Sequence, residues 1–228
     1  MQVASPLTGI PASWLLHFPE LPLQGFEPRL AKGMIGQEHV PFVISNVLSR
    51  CRVGSRPIGS FLFLNGLFSG WTEIAKSLAR QLFDDSGRLI AFDLSEYSDS
   101  QSASRLIGFP SSPSSCYREG LLTEAVKRMP FAVVLLDNVD RAHPFVTDVL
   151  IEIITNGSVS NGEGGTTDFT KTVIIMTSNV MDGKIQGWKC NCARFLTKLL
   201  QCLISLLSGI TGEKTFQTFQ RTGWCDSL

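Results

Sequence analysis

Phe61-Leu62-Phe63-Leu64-Asn65-Gly66-Leu67-Phe68-Ser69-Gly70-Trp71-Thr72-Glu73 is the stretch from which the fold follows. Its leading apolar run, bounded by Gly59 and Gly66, predicts a short strand buried on both faces. The glycines predict a tight loop, and the stripe Ile74, Leu78 and Leu82 predicts a helix over residues 72–83. Strand, glycine loop and helix in this order are the layout of a phosphate-binding loop. There, backbone N–H groups and a helix N-terminus cradle phosphates, a lysine reaches the terminal phosphates, and a Ser or Thr hydroxyl holds magnesium. Gly70 and Thr72 occupy their places, Gly66 and Ser69 belong to the loop, and Trp71 stands where the lysine belongs. Taken alone, the stretch fits equally a nucleotide site that has lost its key cation and a strand-turn-helix that never had one.

The flanking sequence repeats the alternation. Upstream, Val40, Val43, Ile44, Val47 and Leu48 recur three and four apart and predict an amphipathic helix over residues 37–51 whose apolar face packs on a sheet. Downstream, apolar runs at 89–94, 131–136 and 172–176 predict further buried strands, the first two closed by Asp93 and Asp137. Helices are expected over 119–129 and over 144–154, the latter with Pro144 in its first turn. Residues 105–107 begin a short element beside a Ser/Pro-rich loop at 108–117, and Asn161-Gly162 with Gly164-Gly165 gives 157–169 the turn chemistry of a hairpin. Strands alternating with helices imply right-handed crossovers and a parallel sheet covered on both sides, an α/β fold. Ligands on such sheets sit at the carboxyl ends of the strands, where Thr72, Asp137 and Asn179 all fall.

Composition narrows the function classes. The 228 residues carry 20 basic and 20 acidic side chains, so no basic field argues for nucleic acid. Hydrophobic residues at 43% suffice for a sizeable core. The 6 cysteines are too few and too unevenly spaced for a disulfide scaffold, and no secretory segment opens the chain, so a reducing, cytoplasmic compartment is expected. Cys190, Cys192, Cys202 and Cys225 match no standard zinc spacing, and His17, His39 and His143 are isolated from any nucleophile with a supporting acid.

A glycine loop, then Val133-Val134-Leu135-Leu136-Asp137-Asn138, then Ile174-Ile175-Met176-Thr177-Ser178-Asn179 resembles the ATPase module of the Clp-type disaggregase chaperones, the ClpB-like branch of the AAA+ superfamily, and in particular their second module. Thr8-Gly9-Ile10-Pro11 looks like the linker leading into that module and Ile35-Gly36-Gln37 like its adenine-side segment. Leu82-Phe83-Asp84-Asp85, Asp93-Leu94-Ser95-Glu96-Tyr97, Ser104-Arg105-Leu106-Ile107-Gly108 and Arg141-Ala142-His143 continue the likeness in register. The resemblance covers roughly residues 7–181. It implies a parallel-sheet P-loop NTPase core at 31–181, preceded by a linker or extended arm at 1–30 and followed by an atypical tail at 182–228.

Carried over by position, the resemblance implies ATP and magnesium as cofactors, with Ile35, Gly36, Gly66, Ser69, Gly70, Trp71, Thr72 and Asp137 on the nucleotide and Thr72 and Asp137 on the metal. It also shows the working parts altered. Trp71 replaces the lysine and Asn65 the loop's first glycine. A charged hydrogen bond is worth about 1.5–3 kcal/mol, so loss of the lysine alone weakens nucleotide binding roughly 10- to 100-fold. Asn138 stands where a glutamate activates the attacking water. An amide cannot accept that proton, and loss of a general base costs on the order of 10² to 10⁴ in rate. Asn179 keeps the polar sensor position, and Ser112-Pro113-Ser114-Ser115 replaces the aromatic Gly-Tyr-Val-Gly segment that grips a polypeptide in the ring pore.

The arginine finger, fifth strand and helical lid implied by the resemblance are not recognisable in residues 182–228. The fifth strand would pair beside the first, so its loss leaves the 61–64 strand as an edge. The tail carries instead a stripe of Phe195, Leu196, Leu199, Leu200, Leu203, Ile204, Leu207 and Ile210, expected to be a helix packed on the body or a partner. Lys198 and Gln201 interrupt it short of the roughly 20 apolar residues a membrane span needs. A misjoined coding segment would give the same tail. Together these features lead us to expect a degenerate Clp-type ATPase module, a pseudo-ATPase that binds protein partners such as subunits of related rings. The alternatives are a weakly active ATP-binding heat-shock chaperone ATPase and a decayed product without stable function.

Overall fold

The computed structural model describes residues 28, 30, 39–50, 54–64, 70–108, 120–160 and 165–178. The chain folds as α1 His39–Arg50, β1 Gly59–Leu64, α2 Trp71–Phe83, β2 Leu89–Asp93, a 3-10 turn Leu94–Tyr97, α3 Ser100–Ile107 and α4 Leu121–Arg128. It continues with β3 Val133–Asp137, a 3-10 turn Val139–Arg141, α5 Pro144–Asn156, the hairpin strands β4 Ser158–Ser160 and β5 Thr166–Asp168, and β6 Val173–Ser178. Four strands form one parallel sheet in the order β1-β6-β3-β2, while β4 and β5 pair antiparallel beside it.

Side-chain alternation along the strands divides the core into two layers. Val133 and Leu135 of β3 and Val173 and Ile175 of β6 face a cluster with Ile44 and Leu48 of α1 and Ile74, Leu78 and Leu82 of α2. Val134, Leu136, Ile174 and Met176 face the opposite cluster, filled by Leu106 of α3, Val126 of α4 and Leu150 and Ile153 of α5. The sheet is therefore covered on both sides, as the continuous apolar runs demand. β1 differs in one respect. Phe61 is buried, whereas Leu62 and Phe63 are only half-buried, because among the described residues β1 has a single strand neighbour, β6.

Local chemistry fixes the boundaries. The Asp99 carboxylate accepts the Gln101 and Ser102 N–H groups at 3.0 Å and starts α3, so residues 105–107 end a helix rather than beginning an element. That cap lies upstream of the apolar residues from which periodicity is read. At the start of α5, His143 Nδ1 accepts the Phe145 N–H at 3.2 Å and Pro144 takes the first position. Gly157 ends α5 at φ 70, its N–H donating to the Ile153 carbonyl at 2.8 Å. Gly120 is required for space: a Cβ there would lie 2.1 Å from the Ile107 carbonyl carbon, so α3 and α4 meet only because it has no side chain. Val43, assigned by periodicity to the buried face of α1, is instead 42% exposed beside Phe42. Leu30 is buried against the α1/α2 cluster. Apart from Pro28 and Leu30, the 1–30 arm lies outside the described residues, as do the 182–228 tail with its stripe from Phe195 to Ile210 and the segment Ser112 to Ser115.

Candidate functional site

The register of the sheet sets a row of side chains along its carboxyl edge. Phe63 of β1 is level with Thr177 of β6, Leu136 with Met176 one step earlier, and Asp137 of β3 with Asp93 of β2. Alternation puts Phe63, Thr177, Asp137 and Asp93 on the sheet face that carries α1 and α2. One edge thus changes across its width from aromatic to hydroxyl to carboxylate.

At the aromatic end, Trp71 is the first residue of α2, following Gly70, whose carbonyl accepts the Ile74 N–H at 3.0 Å. Side chains on a helix lean toward its N-terminus, which aims the indole back at the strand end. Its ring stacks on Phe63 with centroids 4.2 Å apart and planes 19° from parallel, and Phe63 in turn lies 6.2 Å from Phe61. Trp71 is only 7% exposed and belongs to the α1/α2 core, whereas Thr72, the next residue, is exposed. The position that a phosphate-binding loop gives to a cation therefore holds a core aromatic. Thr72 and Asp137 offer the hard oxygen donors that suit magnesium, but a buried indole offers terminal phosphates no charge. Thr72 and Asp137 thus suit a magnesium ion, whereas the Trp71 side chain does not suit terminal phosphates.

At the carboxylate end the side chains are tied to one another. Thr177, 1% exposed, donates its hydroxyl to Asp137 Oδ1, which also accepts the Asn138 N–H at 3.2 Å. Asn138 takes the left-handed conformation, φ 56 and ψ 47, which Asn tolerates better than most residues. Its amide Nδ2 reaches Asp93 Oδ1 at 3.0 Å, and the same oxygen accepts the Ser95 N–H at 2.9 Å. Burial pushes the Asp93 carboxyl up, but the hydrogen bonds from Asn138 and Ser95 and the charge of Arg141 outweigh it and hold the carboxyl below its ordinary value. Asn138 is thus a donor to a neighbouring carboxylate, and an amide in that place has no capacity to take a proton from water.

The structure joins Asp137 to Thr177 and its sequence neighbour Asn138 to Asp93, and it places Gly70, Trp71 and Thr72 at the start of α2. Ile35, Gly36, Gly66, Ser69 and Asn179 lie outside the described residues. Sequence reasoning did not assign Asp93, Thr177 or Phe63 to the site. Asp93 was detectable as a carboxylate ending an apolar run, as Asp137 is, and Phe63 only through its contact with Trp71. Among the described residues no group of three or more His, Cys, Asp or Glu side chains is arranged to hold a metal, and no helix is long and apolar enough to cross a membrane.

Comparison with known proteins bears on the same core. A profile described as AAA domain (Cdc48 subfamily) matches residues 56–201. The chain is 42% identical over 189 residues to the Chlorobaculum tepidum protein named "Probable chaperone protein ClpB 1", a match spanning 81% of this chain and 43% of that one. It is likewise 42% identical over 189 residues to the Vibrio cholerae chaperone protein ClpB, spanning 22% of the latter. The Agrobacterium fabrum chaperone protein ClpB is 43% identical over 182 residues, spanning 78% of this chain and 21% of that protein. The chain thus spans less than half the length of these curated relatives.

Proposed function

Because the chain belongs to the AAA domain family of the Cdc48 subfamily and carries a ClpB-like AAA+ module, we propose that it is a form of that module with weakened nucleotide binding and negligible hydrolysis, which acts by binding protein partners. The observation that carries this proposal is the Trp71 indole, buried and stacked on Phe63 where the motif calls for a lysine. Asn138 adds to it, since an amide donating to Asp93 does not serve as a general base. The partners that fit are subunits of related Clp-type rings, bound through surfaces of the module, and the balanced charge of the chain favours neither nucleic acid nor a membrane surface. Co-sedimentation of the purified chain with a full-length ClpB protein tests the association. We expect co-sedimentation at micromolar protein, and its absence there would overturn the partner assignment.

A weakly active ATPase is favoured by one feature. Asp137 is held by Thr177 and by the Asn138 N–H in a geometry that keeps an oxygen ligand at the strand end, with Thr72 exposed on the first turn of α2. Such an enzyme would turn over labelled ATP above a mock preparation in a magnesium-dependent manner.

A further inference from the structure

We propose that the chain's own segment 195–210 docks as a helix on α1, its apolar half lying along the row Val40, Val43 and Val47. Wound at about 100° per residue, the stripe from Phe195 to Ile210 falls on one half of the helical circumference. Thr197, Lys198, Gln201, Ser205 and Ser208 fall on the other half. A helix divided in this way is stable against one surface, with its polar half in water. On the core, the large hydrophobic side chains left exposed among the described residues are Phe42, Val43 and Leu121, and the first two are neighbours on α1. Val40, Val43 and Val47, three and four apart, form one row beside the buried Ile44 and Leu48. Val40 and Val47 are half-buried and Val43 is exposed, so the row is an apolar surface only partly covered. From Val40 to Ser49 α1 carries no charged side chain, and the apolar half of 195–210 carries none either.

Connectivity favours this occupant over a second copy or another protein. Ile44 and Leu48 of α1 share a core cluster with Val173 and Ile175 of β6, so α1 packs on the strand from which the tail departs at Ser178. Residues 179–194 lie between, and when extended they reach up to about 50 Å, ample to return the segment to α1. A segment tethered by so short a linker meets its surface at an effective concentration on the order of millimolar, well above that of a free partner at micromolar protein. The docking does not depend on whether the core binds nucleotide or assembles with related subunits.

The test is site-specific photo-crosslinking in the full-length chain, alone in solution. With Val43 replaced by benzoylphenylalanine, irradiation is expected to give an adduct at the monomer mass that joins α1 to residues 195–210, in a yield unchanged by dilution. The same probe at Asp148, exposed on α5 in the opposite layer, is expected to give no such adduct. Leu199→Glu with Leu203→Glu, on the apolar half, is expected to remove most of the Val43 adduct. Lys198→Glu with Gln201→Glu, on the polar half, is expected to leave it in place. If the Leu199→Glu and Leu203→Glu chain does not fold, the adduct retained in the polar-half variant still supports the proposal. Adducts at the mass of a dimer, adducts to other segments, no adduct from Val43, or equal yields from Val43 and Asp148 overturn it.

Discussion

Trp71 and Phe63 stack at 4.2 Å across the junction of α2 and β1, so the residue that breaks the phosphate-loop pattern also joins the helix to its strand. This stacking makes Trp71 part of the folding core. Trp71→Ala is expected to destabilise the chain by about 3–5 kcal/mol, the usual cost of truncating a buried large aromatic, with Trp71→Phe costing less. Trp71→Lys restores the lysine but buries an ammonium among Phe63, Ile74 and their neighbours, and it too is expected to melt well below the wild type. Thermal unfolding of the three variants checks this. A Trp71→Ala protein as stable as the wild type would place the indole outside the core.

Gly120 carries a prediction of a different kind. Its φ of −70 is ordinary for any residue, so only space forbids a side chain. With Ile107 backbone 2.1 Å from the would-be Cβ, Gly120→Ala has to part α3 from α4. We expect a loss of about 1–3 kcal/mol, as for other overpacked sites, read by urea unfolding.

The N-cap of α5 is made by a histidine. His143→Ala removes the acceptor for the Phe145 N–H and is expected to cost about 1 kcal/mol, whereas His143→Asp or His143→Asn supplies a stronger cap and is expected to match or exceed the wild type. Denaturant midpoints at constant m distinguish the order.

The bond between Asn138 and Asp93 makes stability depend on pH. A carboxyl depressed in the folded state stabilises the fold above its unfolded value and loses that contribution as pH falls through the lowered folded value. For Asp93 the ordinary value is 3.8 and the folded value lies below it. The stability difference between wild type and Asn138→Ala is therefore expected to hold constant above about pH 5 and to narrow as the pH is taken below 3.8. Melting curves across that range test it, and a difference that widened in acid would contradict the assignment.

Much of the architecture was legible in the sequence because it is built from buried parallel strands. Phe61-Leu62-Phe63-Leu64, Val133-Val134-Leu135-Leu136 and Ile174-Ile175-Met176 are continuous apolar runs, and such runs fit only a sheet covered on both faces. Val43 and residues 105–107 were read differently because a helix's amphipathic stripe has soft edges and because α3 is announced by its cap, Asp99, rather than by its apolar residues. At the site, Trp71 and Asn138 stood out as departures from a pattern, but what they do did not. Stacking on Phe63 and bonding to Asp93 depend on which strand ends lie level, and that register is set by long-range pairing that a linear pattern does not contain.

If a buried tryptophan has displaced the phosphate-binding cation, titration of labelled ATP with and without magnesium shows it most directly. The predicted result is no saturable binding in the micromolar range in either condition, since loss of the charged contact weakens binding roughly 10- to 100-fold. Magnesium-dependent saturation at micromolar ATP in the wild-type chain would contradict it, and would show that Gly70, Thr72 and Asp137 suffice without the lysine.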